Sequence, residues 1–471
     1  MNTNDYINRL KKETNNIDDI YYRDMSINDK KITIVFNEPL VSSQMISDFV
    51  IRSLNNIRSN NIYEEITNNI SSFKWIEITN YKDFCFYLYF GYTLVLIHEE
   101  NKVIGLETKA QLDRSISIPD TEGTIRGAKD AFLENMQQNI GLIRKRIKHN
   151  DFRIEKRFIG RYTKTGVAIL SIKSICKDKL LKQILKKIDE INIDGIVAGE
   201  QIKNLIEHSN FPLPTILTTE RPDIASNALL QGKVVIIVDN SPYALIVPGL
   251  FYDYFKTSED FYAKSFNVTF TRIIRYLAFF IALLTPAIYL SLITYNQEIV
   301  PTELLVNFAK QRNGVPFPAF FEAFIMLIAF EILREGDIRV PSSLGSSLSI
   351  VGALILGDAA VAAGIVSPIM IIVIAITSIS SLPFNELDIT NGLRLYRILF
   401  MIGASFFGLL GVLFVFYLFL INITSKDIFD VPYLVPYSPF SLNAFKDSFI
   451  KFKNNNKRNE YLSNNITRKR G

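Results

Sequence analysis

Four stretches of the sequence contain no charged residue and are long enough to cross a lipid bilayer. They have 22, 18, 23 and 23 residues: Tyr276–Gln297, Val340–Gly357, Ala359–Ser381 and Leu399–Ile421. About 20 apolar residues suffice for a membrane-spanning helix. Buried helices of large soluble proteins are usually shorter and amphipathic. The sequence therefore predicts that the C-terminal half of the chain lies in a membrane.

The two ends of the chain are polar, which bears on their location. The N-terminal sequence MNTNDYINRLKKETNN has no apolar core of a secretory signal, so we expect the long polar half to be cytoplasmic. The only cysteines, Cys85 and Cys176, offer no disulfide framework and suit a reducing compartment. Residues 446–471 carry eight Lys and Arg against two acidic residues, which favours a cytoplasmic tail on anionic lipids and argues against a nucleic-acid-binding module.

Strand-like and helix-like stretches alternate in the polar half. FCFYLYFGYTLVLI and VIGLETK predict a hairpin, Gly127–Lys148 has helical spacing, and VVIIV and YALIV flank the turn-like Asp239–Pro242. The predicted fold is an α/β cytoplasmic N-terminal domain of two subdomains, followed by an all-α polytopic membrane domain. The predicted parts are a polar N-terminal arm (1–28), a first α/β subdomain (29–126), a helical linker (127–165), a second α/β subdomain (166–265), a transmembrane domain (266–425) and a basic cytoplasmic tail (426–471).

The number of crossings must be even if both ends are cytoplasmic. Tyr276–Thr294, Phe317–Leu333 and Leu399–Ile421 are predicted as full crossings. Val340–Ser381 then has to supply one full crossing and a partial segment, which gives about four crossings in all. The alternative is a hairpin turn at Gly357–Asp358 between two full crossings, which would place the tail outside.

The stretch PFPAFFEAFIMLIAFEILRE places the charged residues Glu322, Glu331 and Arg334 within or beside a predicted crossing. Glu322 and Glu331 are nine residues apart and so face opposite sides of a helix. Glu331 precedes Arg334 by three residues near the helix end, where pairing makes a structural role favourable. Glu322 follows two prolines at a helix start, and either a polar path or a subunit contact would relieve its charge.

A polar face is predicted in the next crossing. Five residues recur at four- and three-residue steps and share one side of a helix: Ser343, Ser347, Ile350, Leu354 and Asp358. Hydroxyls, a hydrophobic constriction and a carboxylate in this order suit a gated ion pore. The alternative is that serines and the small residues around them only hold helices together. One chain cannot enclose a channel alone, so a pore predicts oligomerisation.

Enzymatic chemistry finds no support in the sequence. The three histidines, His98, His149 and His208, have no short ligand spacing to one another or to a cysteine, and no phosphate-binding loop or nucleophile elbow occurs. We therefore expect no catalytic residues, no metal site and no cofactor.

Several longer stretches resemble the A subunit of the GerA-type spore germinant receptors, over roughly residues 105–440. They include DTEGTIRGAKDAFLENMQQNIGLIRKRIK, TTERPDIASNALLQGKVVIIVDNSPYALIVPGLF, GVPFPAFFEAFIMLIAFEILRE and SLSIVGALILGDAAVAAGIVSP. Three positions depart from the usual pattern of that family. Leu327 stands where a Glu is common, Ala128 where a Pro is common, and Asp337 where a Gly is common.

The resemblance implies a role in nutrient-triggered spore germination at the spore inner membrane. It implies a transporter-like B subunit and a lipoprotein C subunit as partners, and a homo-oligomeric ring that forms or gates a channel for monovalent cations. On this view Ser343 and Ser347 line the entrance, Ile350 and Leu354 form the constriction, and Asp358 attracts cations. The competing hypothesis is a non-conducting signalling scaffold for the B subunit.

Overall fold

The fold is taken from a computed structural model, and it has the predicted class. It describes residues 3–15, 17–28, 30–57, 61–69, 74–110, 119, 121–207, 211–339, 355–384, 386–442, 445, 448–451 and 458–464. Two five-stranded sheets with flanking helices come first, and a bundle of apolar helices follows.

The first α/β domain is an antiparallel sheet of strand order β1-β2-β4-β5-β3 with helices around it. Its elements are α1 (Thr3–Thr14), β1 (Ile20–Ile27), β2 (Lys30–Asn37), α2 (Ser43–Met45), a π-helix (Ile46–Ile51), α3 (Arg52–Asn55), α4 (Ile62–Asn69), β3 (Trp75–Glu77), α5 (Tyr81–Leu88), β4 (Tyr92–Ile97) and β5 (Lys102–Glu107).

Two sequence predictions for this domain need correction. The predicted polar arm is part of the domain, because α1 buries Tyr6, Ile7 and Leu10 and β1 pairs with β2 along its whole length. The predicted hairpin is shorter than expected. Its strands are only β4 and β5, because the aromatic run before Tyr92 forms helix α5, which Asn80 caps through its side chain.

The second α/β domain repeats the plan with strand order β6-β7-β9-β10-β8. Its elements are α6 (Met136–Arg146), β6 (Phe152–Ile159), β7 (Thr165–Ile172), α7 (Asp178–Asp189), α8 (Gly199–Ile206), β8 (Leu217–Thr219), α9 (Pro222–Gln231), β9 (Val234–Val238) and β10 (Ala244–Val247). The predicted helical linker is reduced to α6, which begins where Asn135 caps it, and β6 belongs to the sheet.

The helical region is joined to the second α/β domain by one continuous apolar core. Its elements are α10 (Glu259–Tyr262), α11 (Ser265–Thr294), α12 (Thr302–Arg312), α13 (Ala319–Arg339), α14 (355–362), α15 (Pro368–Ile379) and α16 (Leu387–Thr424), followed by β11 (Asp427–Ile428) and β12 (Val431–Pro432). Phe255 and Phe279, both buried, pack together where the domain meets the bundle.

Two of the described helices, α11 and α16, are long and apolar enough to cross a membrane. Helix α16 consists of two arms, because the chain reverses at Gly408, whose φ of 58° and ψ of −139° are not helical. The rings of Tyr396 and Phe419 lie 4.7 Å apart, and Asn422 Nδ2 donates to the Tyr396 hydroxyl at 3.1 Å. Residues 26 apart in a continuous helix would be separated by about 39 Å. The predicted single crossing at Leu399–Ile421 is therefore a helical hairpin.

The turn of this hairpin lies at the end of the bundle that is remote from the α/β domains. Helix α11 starts beside the second domain, where Arg275 Nη1 donates to the Phe255 carbonyl at 2.9 Å. After its far end, the Asn296 side-chain oxygen accepts a hydrogen bond from Leu409 N at 3.0 Å. The second arm of α16 then returns to the domain side, where Tyr433 meets Phe211. The segment after α16 thus lies on the same side as the α/β domains.

Helices α14 and α15 form a second hairpin, with its turn at residues 363–366. A Cβ on Gly357 would lie 3.7 Å from Ile371 on α15. The alternative turn at Gly357–Asp358 is therefore wrong, because both residues lie within α14. The reversal at Gly408 was not predicted from the charge pattern. The full crossing and partial segment predicted in Val340–Ser381 stay a prediction, because residues 340–354 lie outside the described residues.

Candidate functional site

The junction between the second α/β domain and the bundle contains a nearly buried lysine. Lys203 on α8 is 2% exposed, and its ammonium group donates to Thr218 Oγ1 at 3.0 Å, to Glu386 at 3.3 Å and to Asp388. Glu200, one helical turn earlier, lies at 3.7 Å. Because Glu386 and Asp388 stand at the start of α16, this cluster ties the α/β domain to the first arm of the hairpin.

A second cluster holds the chain between the two α/β domains against the same junction. Glu220 Oε1 accepts hydrogen bonds from Thr121 N and Glu122 N, both at 2.7 Å, and Glu122 Oε2 accepts from Glu220 N at 3.1 Å. The fully buried Arg221 donates to the carbonyls of Glu122 and Ala128 and pairs with Asp223. These reciprocal contacts join the interdomain segment to the loop after β8.

The same cluster reaches the start of the bundle. The Tyr262 hydroxyl on α10 donates to Asp223 at 2.7 Å, and Ile125 N donates to Glu259 at 3.1 Å. Since α10 leads directly into α11, a displacement of the interdomain segment would act on the first membrane helix. The two clusters together form a candidate site for transmitting movement, which we call the junction site.

Two carboxyl groups of the junction site have raised pKa values. Burial raises the pKa of Glu386 to about 7, although Lys203 favours its charged form. Burial likewise raises the pKa of Glu122 to about 7, with Glu386 and Glu220 adding repulsion. Burial opposes the charge on Lys203, but Glu386 and Asp388 outweigh it and raise its pKa. The adjacent cavity of about 80 Å³ has room for a few water molecules and is smaller than the usual ligand pocket.

The two raised pKa values predict a pH-dependent stability. Both carboxyl groups have a higher pKa in the folded chain than the usual carboxyl value. Their contribution to the stability of the fold is therefore fully present below about pH 4.5 and is lost as the pH rises through about 7. We expect the thermal midpoint of the full chain in detergent to be a few degrees higher at pH 5.5 than at pH 8, of order 5 °C. The isosteric Glu122→Gln, Glu386→Gln variant should lose this difference, and an undiminished pH dependence in the variant would refute the assignment.

A third cluster lies deep in the bundle, around Glu322. Its carboxylate is fully buried in the chain, accepts from Ser367 N at 3.1 Å and Ser367 Oγ at 2.9 Å, and pairs with Arg312 at 3.2 Å. Pro318 precedes α13 and accepts from Glu322 N, so the carboxylate stands in the first helical turn, where the dipole favours it. The structure places Glu322 in a contact among α12, α13 and the turn before α15.

Glu331 and Arg334 lie near the domain side of the bundle, and both contact α16. Glu331 pairs with Arg394 at 2.8 Å, and Arg334 donates to Thr390 Oγ1 at 3.0 Å. Arg397, also on α16, is 4% exposed and donates to the Ala282 carbonyl at 2.8 Å. As expected from their spacing, Glu322 and Glu331 serve separate contacts.

The predicted pore face can be compared with the structure at one position only. Ser343, Ser347, Ile350 and Leu354 lie outside the described residues. Asp358 lies on α14 and is exposed on the surface of the single chain, as are the neighbouring apolar residues Ile355 and Ile372. The structure does not bring Asp358 together with Glu322 or Glu331.

The junction site is the part that sequence reasoning missed. Glu220, Arg221 and Asp223 fall in TTERPD, a stretch whose only signal in the sequence is the family resemblance. A signal for Lys203 was present, since it sits between the apolar residues of an otherwise amphipathic helix. Within the part of the chain that the structure describes, no group of three His, Cys, Asp or Glu residues could hold a metal ion.

Comparison with known proteins gives a consistent result over nearly the whole chain. The family described as "Bacillus/Clostridium GerA spore germination protein" matches residues 8–461. Spore germination protein KA of Bacillus subtilis is 36% identical over 453 residues, with 94% of this chain and 83% of that protein covered. Spore germination protein A1 of the same organism is 33% identical over 371 residues, covering 79% and 77%.

One solved structure is also similar. It is the crystal structure of the N-terminal domain of the A subunit of the Bacillus megaterium spore germinant receptor GerK3, with 31% sequence identity and a TM-score of 0.40. The match covers 52% of this chain and 94% of that one.

Proposed function

The chain belongs to the GerA family of spore germination proteins, and from that premise we propose that it is the A subunit of a nutrient germinant receptor in the spore inner membrane. The α/β domains and the tail lie on the cytoplasmic side, which is the spore core. The partners are a transporter-like B subunit, a lipoprotein C subunit and further copies of this chain. Nutrient binding by the receptor shifts the population from a closed to an open state.

In this proposal the assembled chains form or gate a path for monovalent cations. The observation that carries it is the exposed Asp358 among exposed isoleucines on α14 and α15. A carboxylate facing lipid tails would cost several kcal/mol, so it has to face water or another protein surface. In a ring of copies that turn α14 inward, Asp358 faces water and a neighbouring copy. The resulting ring of carboxylates attracts cations.

The buried charges of the bundle have a supporting role in this proposal. Glu322 ties α13 to the turn between α14 and α15, only nine residues after Asp358 at Ser367. It therefore fixes the position of α14 relative to the rest of the bundle. Glu331 and Arg334 fix α13 against α16 in the same way.

Substitutions at the predicted constriction test the channel. With Leu354 in a hydrophobic gate, Leu354→Gly or Leu354→Ala should hydrate the constriction and raise cation leak from dormant spores at least tenfold. The leak can be measured as potassium in the spore supernatant without added nutrient. Leu413→Ala, at an exposed apolar position in the second arm of α16, is the control and should leave dormancy unchanged. Normal dormancy and ion content in both Leu354 variants would overturn the assignment.

The second candidate function is a non-conducting scaffold that relays the signal to the B subunit. The observation in its favour is the junction site. This site joins the second α/β domain and the interdomain segment to the starts of α11 and α16, and such a connection needs no pore. Liposomes that contain this chain alone separate the two candidates. Potassium efflux that disappears with Asp358→Leu supports the channel, and tight liposomes support the scaffold.

A further inference from the structure

The last described residues of the chain lie in a groove of the second α/β domain. We call residues 458–464 the strap. Leu462 is completely buried in a small apolar cluster with Leu250, Tyr252 and Val431. Leu250 and Tyr252 precede the first helix of the bundle, whereas Val431 follows the last one. One strap side chain therefore joins the segments by which the chain enters and leaves the bundle.

Main-chain contacts fix the position of the strap. Ser463 pairs with Cys176 in an isolated antiparallel bridge, and Asn464 N donates to the Ile175 carbonyl at 2.9 Å. The Asn464 side chain donates to the Cys176 carbonyl at 3.1 Å, and Arg458 Nε donates to the Leu230 carbonyl at 2.8 Å. Within the strap, Leu462 N and Ser463 N donate to the Asn459 carbonyl at 3.2 and 3.0 Å, so the strap is a closed turn that presents Leu462 to its pocket.

The groove is shaped for a close approach of the strap backbone. Gly232 ends α9 in the left-handed conformation, with φ of 99°. A Cβ there would lie 2.7 Å from the Leu462 carbonyl oxygen. A side chain at position 232 would thus be strained by the backbone and would also displace the strap.

We propose that the strap is a releasable intramolecular ligand, which restrains the second α/β domain against the membrane helices. It is releasable because it is only seven residues long and packs against the folded domain through Leu462 and Tyr461, so its contacts can open without unfolding either domain. The strap restrains the domain because its contacts reach the end of α9, the loop after β7 and both connections to the bundle. The basic tail was expected to lie on lipid headgroups, and here part of it contacts protein.

A disulfide across the bridge tests the position of the strap. Residues opposed in an antiparallel pair have Cα atoms about 4.5–5.5 Å apart, within the range that a disulfide allows. In the full chain with Cys85→Ser, Ser463→Cys should form a disulfide with Cys176 within one chain under mild oxidation. Glu460→Cys is the control and should stay reduced, because Glu460 lies on the exposed side of the strap, three residues before the bridge. A Ser463→Cys chain that stays reduced, or one that links only to a second copy, would overturn the proposal.

The locked chain then tests the restraint without reference to germination. Amide hydrogen exchange in α8, which carries Lys203, should be at least tenfold slower in the oxidised Ser463→Cys chain than in a chain that ends before Arg458. The full-length chain with Glu460→Cys should fall between them under the same oxidation. Equal exchange in the locked and truncated chains would show that the strap restrains nothing.

A spore assay extends the test to signalling, and this arm rests on the proposed function. Spores with the locked chain should release potassium at least tenfold more slowly after a mixture of L-alanine, glucose and inosine, and a reductant should restore the rate. Equal rates before and after reduction would contradict an inhibitory strap. If the reduced chain gives no nutrient response at all, the proposed function fails, while the disulfide and exchange results still decide the strap.

Discussion

Replacing Lys203 with methionine should destabilise the full chain by about 3–5 kcal/mol, because it leaves Glu386 and Asp388 at the junction without their buried cation. Glu386 can take up a proton, since burial already raises its pKa to about 7. The loss should therefore be smaller at pH 6 than at pH 8. The loss of stability is larger at pH 8 because the Glu386 carboxyl group is charged there and lacks a cation, whereas it is neutral at pH 6.

The expected shift is large enough to measure in detergent. We expect the temperature at which the monodisperse chromatographic peak is lost to fall by about 10 °C at pH 8. Lys186→Met is the matched control in the same domain, because Lys186 is 78% exposed and only approaches Glu190 at 3.8 Å. It should stay within about 0.5 kcal/mol of the wild type. Similar midpoints for the two variants would show that Lys203 does not hold the junction.

Replacing Arg144 with methionine should have an effect of similar size on the interface between the two α/β domains. Arg144 and Asp19 are both fully buried, and Arg144 Nε and Nη2 lie 3.1 and 2.9 Å from Asp19 Oδ2. The guanidinium group also lies against the rings of Tyr89 and Phe152. Methionine fills much of the volume but leaves the Asp19 carboxylate without its cation, which should cost about 3–5 kcal/mol.

The single tryptophan of the chain, Trp75 on β3, provides the measurement. Its fluorescence during urea unfolding reports on the first α/β domain, which contains Asp19. Arg146→Met is the control two residues along the same helix, where a 24% exposed Arg pairs with Asp130 and should contribute about 1 kcal/mol. Adding Asp19→Leu to Arg144→Met should recover part of the stability, since no unpaired charge then remains. An Arg144→Met midpoint no lower than that of Arg146→Met would contradict this account.

The sequence predicted the class of the fold because each signal for it is local. Long apolar runs identify the helices of the bundle, and short apolar runs rich in β-branched residues identify buried strands such as β7 and β9. The predictions were wrong where one local sequence pattern is compatible with two structures. The aromatic run before Tyr92 is compatible with a strand. It forms a helix because Asn80 caps its start, and the position beside β2 in the sheet is taken by β4. An apolar run of 23 residues can cross a membrane once or turn back within it. Here the difference is marked by three glycines, Gly408 at the reversal and Gly403 and Gly411 where the two arms approach each other.

The candidate site could be predicted only where its partners are close in the sequence. Arg312 and Glu322 are ten residues apart and their contact follows from a short turn, whereas Glu331 finds Arg394 and Lys203 finds Glu386 from distant elements. The spacing of Glu331 and Arg334 suggested a local pair. Helix α16 in addition supplies a cation to Glu331 and a hydroxyl group to Arg334, and tertiary packing decides such contacts.

The central claim is that α14 turns Asp358 toward water inside an assembly of several copies. The most direct measurement is the reactivity of Asp358→Cys in membranes, with both native cysteines replaced by serine. A charged thiol reagent that cannot enter lipid should modify this position, and potassium efflux should change with the modification. Modification only by a lipid-soluble maleimide, in a chain that remains a single copy, would contradict the claim.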